Sequence, residues 1–408
     1  MPRDRLEPLL EAAVSKLTES GTSKGMENVI CGVIPPDDGK GSRFLLEGHG
    51  DKPFIRMNSN SYLGLSFHPD VIEAEERTAR SLGTGPGAVR FISGTWSPHV
   101  ELERRIAAFH EREATMIFSS AYATVMGVLP PLISEQTAVI SDALNHNCII
   151  NAVRLAKPAK RLIYSHLDMT ELEDHLKTAS QDCTRAIIVT DGIFSMRGDH
   201  APLQAIMKLA RQYDDAFEEN VVVVVDDSHG VGAFGKTGRG TEEYTECGPV
   251  DLLVATLGKA FGVNGGYATA SRAMVDYLRE TSPFYIYSNP ITPGEAAAAT
   301  KALDILDSAE GLQLLGHLRA MTKRFEVGLN DLKLETISGE HPVVPLMVRD
   351  TSRTTALVAH LLNWHILATG LNYPVVPQGD QEIRFQISAD HTPIDIDEAL
   401  NALEAFGA

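Results

Sequence analysis

The chain is short of cations, of cysteine and of long apolar runs, and each shortage removes a class of function. Lysine and arginine number 36 against 54 acidic residues, for a formal charge of −18 at pH 7. No basic stripe offsets this, so a nucleic-acid partner is not expected, and an anionic substrate would need a local cationic entrance. No uninterrupted apolar stretch approaches a membrane span, so no membrane partner is expected either. The opening residues, from Met1 to Glu7, lack the apolar segment of a signal peptide, which makes the cytoplasm the expected location. Four cysteines, Cys31, Cys148, Cys183 and Cys247, stand at spacings that suit neither a metal nor a redox pair. They read as buried or half-buried thiols of a reducing compartment, and no metal site is expected. Internal repeats and low-complexity tracts are also missing.

What the chain does have is length enough for a large core, 408 residues with 43% hydrophobic composition. Residues 3–19 mix charged and apolar groups at helical spacing and read as an exposed helix. Residues 20–50 are rich in Gly, Pro and Asp and read as a loose connector. Short apolar runs then alternate with amphipathic stretches, giving strands at 114–118, 138–141, 161–164, 186–190, 221–225, 252–255 and 266–270. The five consecutive valines from Val221 show no alternation, so helices should cover both faces of a mainly parallel, seven-stranded sheet. After Pro293 an Ala-rich helix (295–306) leads to strands near 343–348 and 383–387. The expected organisation is an N-terminal helix and connector (1–55), a large domain (56–292) and a smaller C-terminal α/β domain (293–408).

Ligands of open α/β sheets gather at the carboxyl ends of strands, and polar residues sit at those ends here. Lys259 lies between Gly258 and Gly262, just after the run ending at Ala255. Asp226 and His229 follow the valine run. An amine, a carboxylate and an imidazole so placed are what pyridoxal 5′-phosphate (PLP) requires: an imine-forming lysine, an acid for the pyridine nitrogen and a partner for the ring hydroxyl. Ser120, Ala121 and Tyr122 open a helix after a strand, which suits a phosphate, although Ser120 alone also reads as an ordinary N-cap. His146 can stack on a flat ring or serve as a bonded structural histidine. Ser195 can donate to a ring substituent or satisfy its loop. Thr256, three residues before the lysine, can reach the phosphate from the loop. Each is weak alone; their order along successive strand ends carries the inference.

Apart from Ser120, Ala121 and Tyr122, these residues lie in stretches 60–65, 89–95, 141–150, 191–196, 225–240, 251–262, 373–377 and 383–392, through which the chain resembles the α-oxoamine synthase family of fold-type I PLP-dependent transferases, most of all its glycine-acetylating members. The resemblance implies that Lys259 holds PLP as a Schiff base and moves protons at the substrate Cα. It implies that Asp226 keeps the pyridine protonated, that His229 and Ser195 contact the ring oxygen, and that His146 stacks over the ring. Ser120, Ala121, Tyr122 and Thr256 would bind the phosphate, joined by Ser288 from a partner subunit. Arg384 would clamp the amino-acid carboxylate and Asn60 would lie near the substrate. The implied reaction condenses glycine or another small amino acid with an acyl-CoA, acetyl-CoA first, in a homodimer with shared active sites; His146 and His229 would polarise the developing oxyanion. Cousins with longer acyl groups, serine, alanine or pimeloyl carriers, some decarboxylating, are the alternative.

Val125 stands where the family has an asparagine, Arg197 where it has an acid, Trp96 where a polar residue is common, and 214–220 reads as an insertion. A rival of another class comes from residues 230–237, which satisfy G-x-x-x-x-G-K-[ST], the phosphate loop of nucleotide hydrolases. That loop needs a helix opening at its lysine, and Gly238 and Gly240 oppose one.

Overall fold

The computed structural model describes residues 3–20, 22, 23, 25, 27–373 and 375–407. Pro374, within one of the family-like stretches, lies outside them. Seven strands form the large sheet: β1 (Ala114–Phe118), β2 (Thr137–Asp142), β3 (Lys160–Tyr164), β4 (Arg185–Asp191), β5 (Val221–Asp226), β6 (Leu252–Thr256) and β7 (Gly266–Ala270). Their order across the sheet is β1-β7-β6-β5-β4-β2-β3. Only β7 runs antiparallel, to both β1 and β6.

The valine run shows why the sheet is covered twice. Val221, Val223 and Val225 enter one apolar core while Val224 enters the other. Ala186 and Ile188 divide from Ile187 and Val189 in the same way. Burial of each such side chain contributes on the order of 1.5–3 kcal/mol relative to exposure, so both faces must be roofed. Helices such as Leu203–Tyr213 supply one roof and Ala121–Leu132 the other.

The chain separates into two compact units, one of Asn60–Thr322 with Gly339–Pro342, the other of Met1–Ser59, Lys323–Ser338 and Val343–Ala408. These limits differ from the expected 55/56 and 292/293. Helix Pro293–Leu306 packs on Pro69–Leu82 and Ser97–Phe109, which holds it in the larger unit. The stretch before residue 60 joins the smaller unit because Ile55–Arg56 pairs in parallel with Ile366–Leu367.

The described part of residues 20–50 is more ordered than a loose connector. Ile30–Ile34 pairs antiparallel with Arg43–Leu46, and Gly41 donates its N–H to Asp395 Oδ2 at 2.9 Å. A Cβ at Gly41 would stand 2.0 Å from the Asp390 carbonyl oxygen, so the glycine there serves close approach. Strands Val343–Met347, Glu382–Gln386 and Thr369–Leu371 form the small antiparallel sheet, with Glu382–Gln386 central. Helix Leu6–Glu19 has no buried residue, as expected of an exposed helix. Cys31 is exposed, contrary to expectation, while the other three cysteines are buried. Among the described residues no helix is long and apolar enough to cross a membrane.

Candidate active site

Four strand ends and one helix start build a single cavity in the larger unit. After β1, Ser120 caps helix Ala121–Leu132, its Oγ accepting the Ala123 N–H at 3.1 Å. Gly266 on β7 lets this helix settle, since a Cβ there would meet the Ala121 nitrogen at 2.4 Å. Ala121 and Tyr122 line the cavity, so the positive end of the helix dipole faces it. Tyr122 donates its hydroxyl to Asn147 Oδ1 at 2.9 Å.

After β2, His146 caps helix Asn147–Ala156 through Nδ1, which accepts the Cys148 N–H at 3.3 Å and lies 2.9 Å from Cys148 Sγ. The His146 N–H donates to Asp191 Oδ2 at 3.0 Å. Desolvation, then Lys259, push the imidazole below its ordinary value, with Asp226 opposing. A largely neutral ring at that position can lie flat against an aromatic ligand without carrying a charge into the cavity.

Asp191 and Ser195 follow β4, and Asp226, Ser228 and His229 follow β5; all five line the cavity. Asp226 Oδ1 accepts the Ser228 N–H at 3.1 Å, and the Cys148 thiol donates to Oδ2 at 3.7 Å. Burial, then Asp226 and Asp191, raise the Cys148 thiol above its ordinary range, so it stays a protonated donor. Strand alternation sends the next residue the other way. Asp227 is fully buried beneath the sheet end, accepting the Thr241 N–H and hydroxyl at 2.6 Å each. Of the adjacent pair, Asp226 is therefore the one that faces the cavity.

His229 is fixed from behind. Its Nδ1 lies 2.7 Å from the Tyr62 hydroxyl, and its carbonyl oxygen lies 2.9 Å from His341 Nε2. Burial foremost lowers His341 to about 4, so it supports His229 as a neutral ring. Tyr62 also donates to Asn60 Oδ1 at 3.4 Å, which links Asn60 to this group through one side chain. Lys259 closes the cavity, partly buried in the loop after β6.

Other expected residues lie outside this lining. Thr256 is buried, donates to the Gly265 carbonyl at 3.2 Å and accepts the Gly258 N–H at 3.1 Å, bracing the lysine loop from outside the lining. Ser288 donates to the Asn289 carbonyl at 3.5 Å, also outside the lining. Arg384 is half-buried on the central strand of the small sheet, in the other unit. Val125 is 2% exposed within the core behind its helix, and does not face the cavity. Arg197 pairs with Asp199 at 2.8 Å, and the insertion is a 3₁₀ turn whose Asp214 caps Val221 N–H at 2.9 Å.

Residues 230–237 do not form a phosphate loop. Turns continue through them, and the next helix, Thr241–Thr245, is five residues long. Glu243 already accepts the N–H and hydroxyl of Thr237 and the N–H of Arg239. The chain's own carboxylate fills the place an anion would take. A larger cleft of about 550 Å³ lies among helices Pro69–Leu82, Ser97–Phe109 and Pro293–Leu306, but it holds paired surface charges such as Lys301 with Asp70 at 3.1 Å.

Sequence reasoning passed over Asp191, Cys148, Ser228, Tyr62 and His341. Asp191 opens the quoted stretch 191–196 and sits at a strand end, which was signal enough. Ser228, two residues after Asp226, carried the same signal; Tyr62 and His341 depend on packing between distant segments.

A mainly parallel sheet with a reversed β7, and an amine, a carboxylate and imidazoles at its strand ends, defines the fold of fold-type I PLP-dependent transferases. The model of the aminotransferase class I and II family matches residues 52–403. The chain is 40% identical over 356 residues to 2-amino-3-ketobutyrate coenzyme A ligase of Escherichia coli, covering 86% of this chain and 87% of that one. It is 38% identical over 369 residues to 8-amino-7-oxononanoate synthase of Thermosipho melanesiensis, covering 90% and 91%. Among solved structures, serine palmitoyltransferase of Sphingomonas wittichii shares the fold at a TM-score of 0.88 and 24% identity, over 99% of this chain and 98% of that one. The chain belongs to the aminotransferase class I and II family and, within it, to the α-oxoamine synthases.

The residues present fit the cofactor of such enzymes. Beyond the amine and Asp226, Ser228 Oγ is buried at the cavity with no hydrogen-bond partner among the described residues, a donor left over for a ligand.

Proposed function

We propose that this chain transfers an acyl group from an acyl-CoA to glycine or another small amino acid, acetyl-CoA being the leading donor. The products are a 2-amino-3-oxo acid and free CoA. The observation that carries this is the meeting of Lys259, Asp226 and His229 at one cavity, in an α-oxoamine synthase chain.

Pyridoxal 5′-phosphate supplies an aldehyde that bonds to amines and a cationic ring that accepts the electron pair released at the substrate Cα. With the cofactor bound, Asp226 would hold a proton on its ring nitrogen, and Lys259 would form the imine and later move the proton at the substrate Cα. The net exchange would join that carbon to the thioester carbonyl carbon as the C–S bond breaks, the displaced proton passing to sulfur so that CoA leaves as its thiol. Ser195 and His229 would hold the ring oxygen, and His146 would stack over the ring. Ala121 and Tyr122, with the cap Ser120, would hold the phosphate; Thr256, whose hydroxyl is donated to the Gly265 carbonyl, would brace the lysine loop instead, and Ser288 would come from a second copy. His146 and His229 polarise the acyl oxygen as charge develops on it. The resemblance assigns Arg384 to the amino-acid carboxylate and Asn60 to the substrate.

A cytoplasmic homodimer with shared active sites belongs to this reading. It draws support from the exposed leucines Leu6, Leu9, Leu10 and Leu17 of the first helix, an apolar row suited to a second copy.

A second reading, a synthase using longer acyl donors or alanine or serine, is favoured by the similar identity to the 8-amino-7-oxononanoate synthase relative. One experiment separates them. The purified enzyme is mixed with each of glycine, alanine and serine against acetyl-CoA and longer acyl-CoAs, and thiol release is followed. Turnover highest for glycine with acetyl-CoA is expected. A preference for a longer donor moves the assignment to the second reading, and silence across the panel rejects both.

A further inference from the structure

His166, just beyond β3, joins two loops that deliver residues to the cavity. Its Nδ1 lies 3.0 Å from Asp142 Oδ1 at the end of β2, and its Nε2 lies 3.2 Å from Asp199 Oδ2 beyond β4. Asp142 also accepts the N–H groups of Leu144 at 2.8 Å and Leu167 at 3.0 Å. Asp199 Oδ2 takes a second donor, Arg197 Nε, at 2.8 Å. The other oxygen, Oδ1, is buried with no hydrogen-bond partner among the described residues, so the carboxylate is held through Oδ2 alone.

The turn ending at Asp199 is closed on itself. Phe194 N–H donates to the Asp199 carbonyl at 3.0 Å, and the N–H groups of Arg197 and Gly198 donate to the Phe194 carbonyl at 3.1 and 2.9 Å. The Phe194 ring stands edge-on to His166 at 4.4 Å between centroids. Ser195 sits inside this turn and lines the cavity. The loop tied by Asp142 leads in four residues to His146, which also lines the cavity.

An imidazole between two carboxylates donates to both only when it carries two protons. Burial opposes that charge, but the bonds to Asp142 and Asp199 outweigh it and carry His166 up to about 9. Burial likewise opposes ionisation of Asp199, yet His166 and Arg197 draw it below the usual carboxylate range. The charged groups facing the imidazole are therefore Asp142 from the β2 end, with Asp199 and, behind it, Arg197 from the turn.

We propose that His166 is a positioning residue, a cationic clasp that fixes the Ser195 turn and the His146 loop against the ring bound in the cavity. This rests on the reading that the cavity holds PLP. His166 itself lines no part of the cavity and acts through the two loops it ties.

The test compares wild type with His166→Gln and Asp199→Asn, measuring amide exchange with and without PLP, the rate of PLP release, and kcat and KM for the amino acid. Both variants should raise exchange across residues 192–200 about tenfold, the scale of one lost charge-assisted hydrogen bond, in cofactor-free and loaded protein alike. PLP release should quicken by a similar factor, and kcat should fall with little change in KM. Wild-type release should also accelerate as pH rises through about 9, a step His166→Gln should lack. Should His166→Gln not fold, Asp199→Asn decides, because it cuts the same tie from the other end. Wild-type exchange and release in both variants would overturn the clasp. Failure of wild type to take up PLP would instead overturn the functional reading, leaving cofactor-free exchange to judge the clasp.

Discussion

Asp191 and Asp226 stand opposite each other in register on neighbouring parallel strands, both facing one cavity. A buried carboxyl beside another acid resists ionisation. Burial first, and then Asp226, raise Asp191 well above the usual carboxylate range, with Lys259 and the His146 N–H opposing. Asp191 therefore tends to keep its proton beside Asp226. Asp191→Asn, which mimics the protonated acid and still accepts the His146 N–H, should keep turnover within about tenfold. Asp226→Asn should cost about 10² or more in kcat while the fold persists. Equal losses in the two variants would show that the division of labour is misassigned.

Val125 tests a departure from the family pattern. Its side chain is packed in the core behind helix Ala121–Leu132, so an asparagine installed there meets no polar partner from the cavity. Val125→Asn should lower unfolding stability by about 2–4 kcal/mol, combining lost apolar burial with an unsatisfied amide. Chemical denaturation measures this, and turnover of the folded fraction should not rise. A gain in activity would mean that the position communicates with the site after all.

Acid sensitivity should trace partly to His110. It is buried, with Nε2 2.8 Å from the Tyr267 hydroxyl, and burial first, then Arg112 and Arg239, lower it to about 3. The folded state keeps the ring neutral while the unfolded chain protonates near 6.5, so unfolding takes up a proton below that value. The stabilising contribution is present above about 6.5 and is lost as pH falls toward about 3. His110→Gln should remove about 1.4 kcal/mol per pH unit from the slope of unfolding free energy between those limits. An unaltered slope in urea titrations at several pH values would remove His110 from this role.

Much of this was legible in the chain itself, for physical reasons. Six of the seven strands of the large sheet are short apolar runs buried on both faces, such as Val221–Asp226, while the edge strand Lys160–Tyr164 alternates exposed and partly buried residues. Lys259, Asp226 and His229 were legible because they follow such runs directly. What stayed hidden depends on pairing across long separations. Arg43 and Gly41 are ordered by Asp395, more than 350 residues away, so 20–50 read as a loose connector. Helix Pro293–Leu306 carries no mark of which unit it packs against. His166 is equally silent in sequence, since its meaning comes from Asp142 and Asp199, which lie 24 and 33 positions off.

The covalent tie at Lys259 is the most direct test of the account. Protein loaded with PLP is reduced with borohydride, digested and mapped by mass spectrometry, beside Lys259→Ala treated identically. The reduced cofactor should sit on the peptide carrying Lys259, with the visible absorbance and turnover both lost in the variant. Loaded wild-type protein whose label falls on another lysine, or on none, would contradict the assignment at its base.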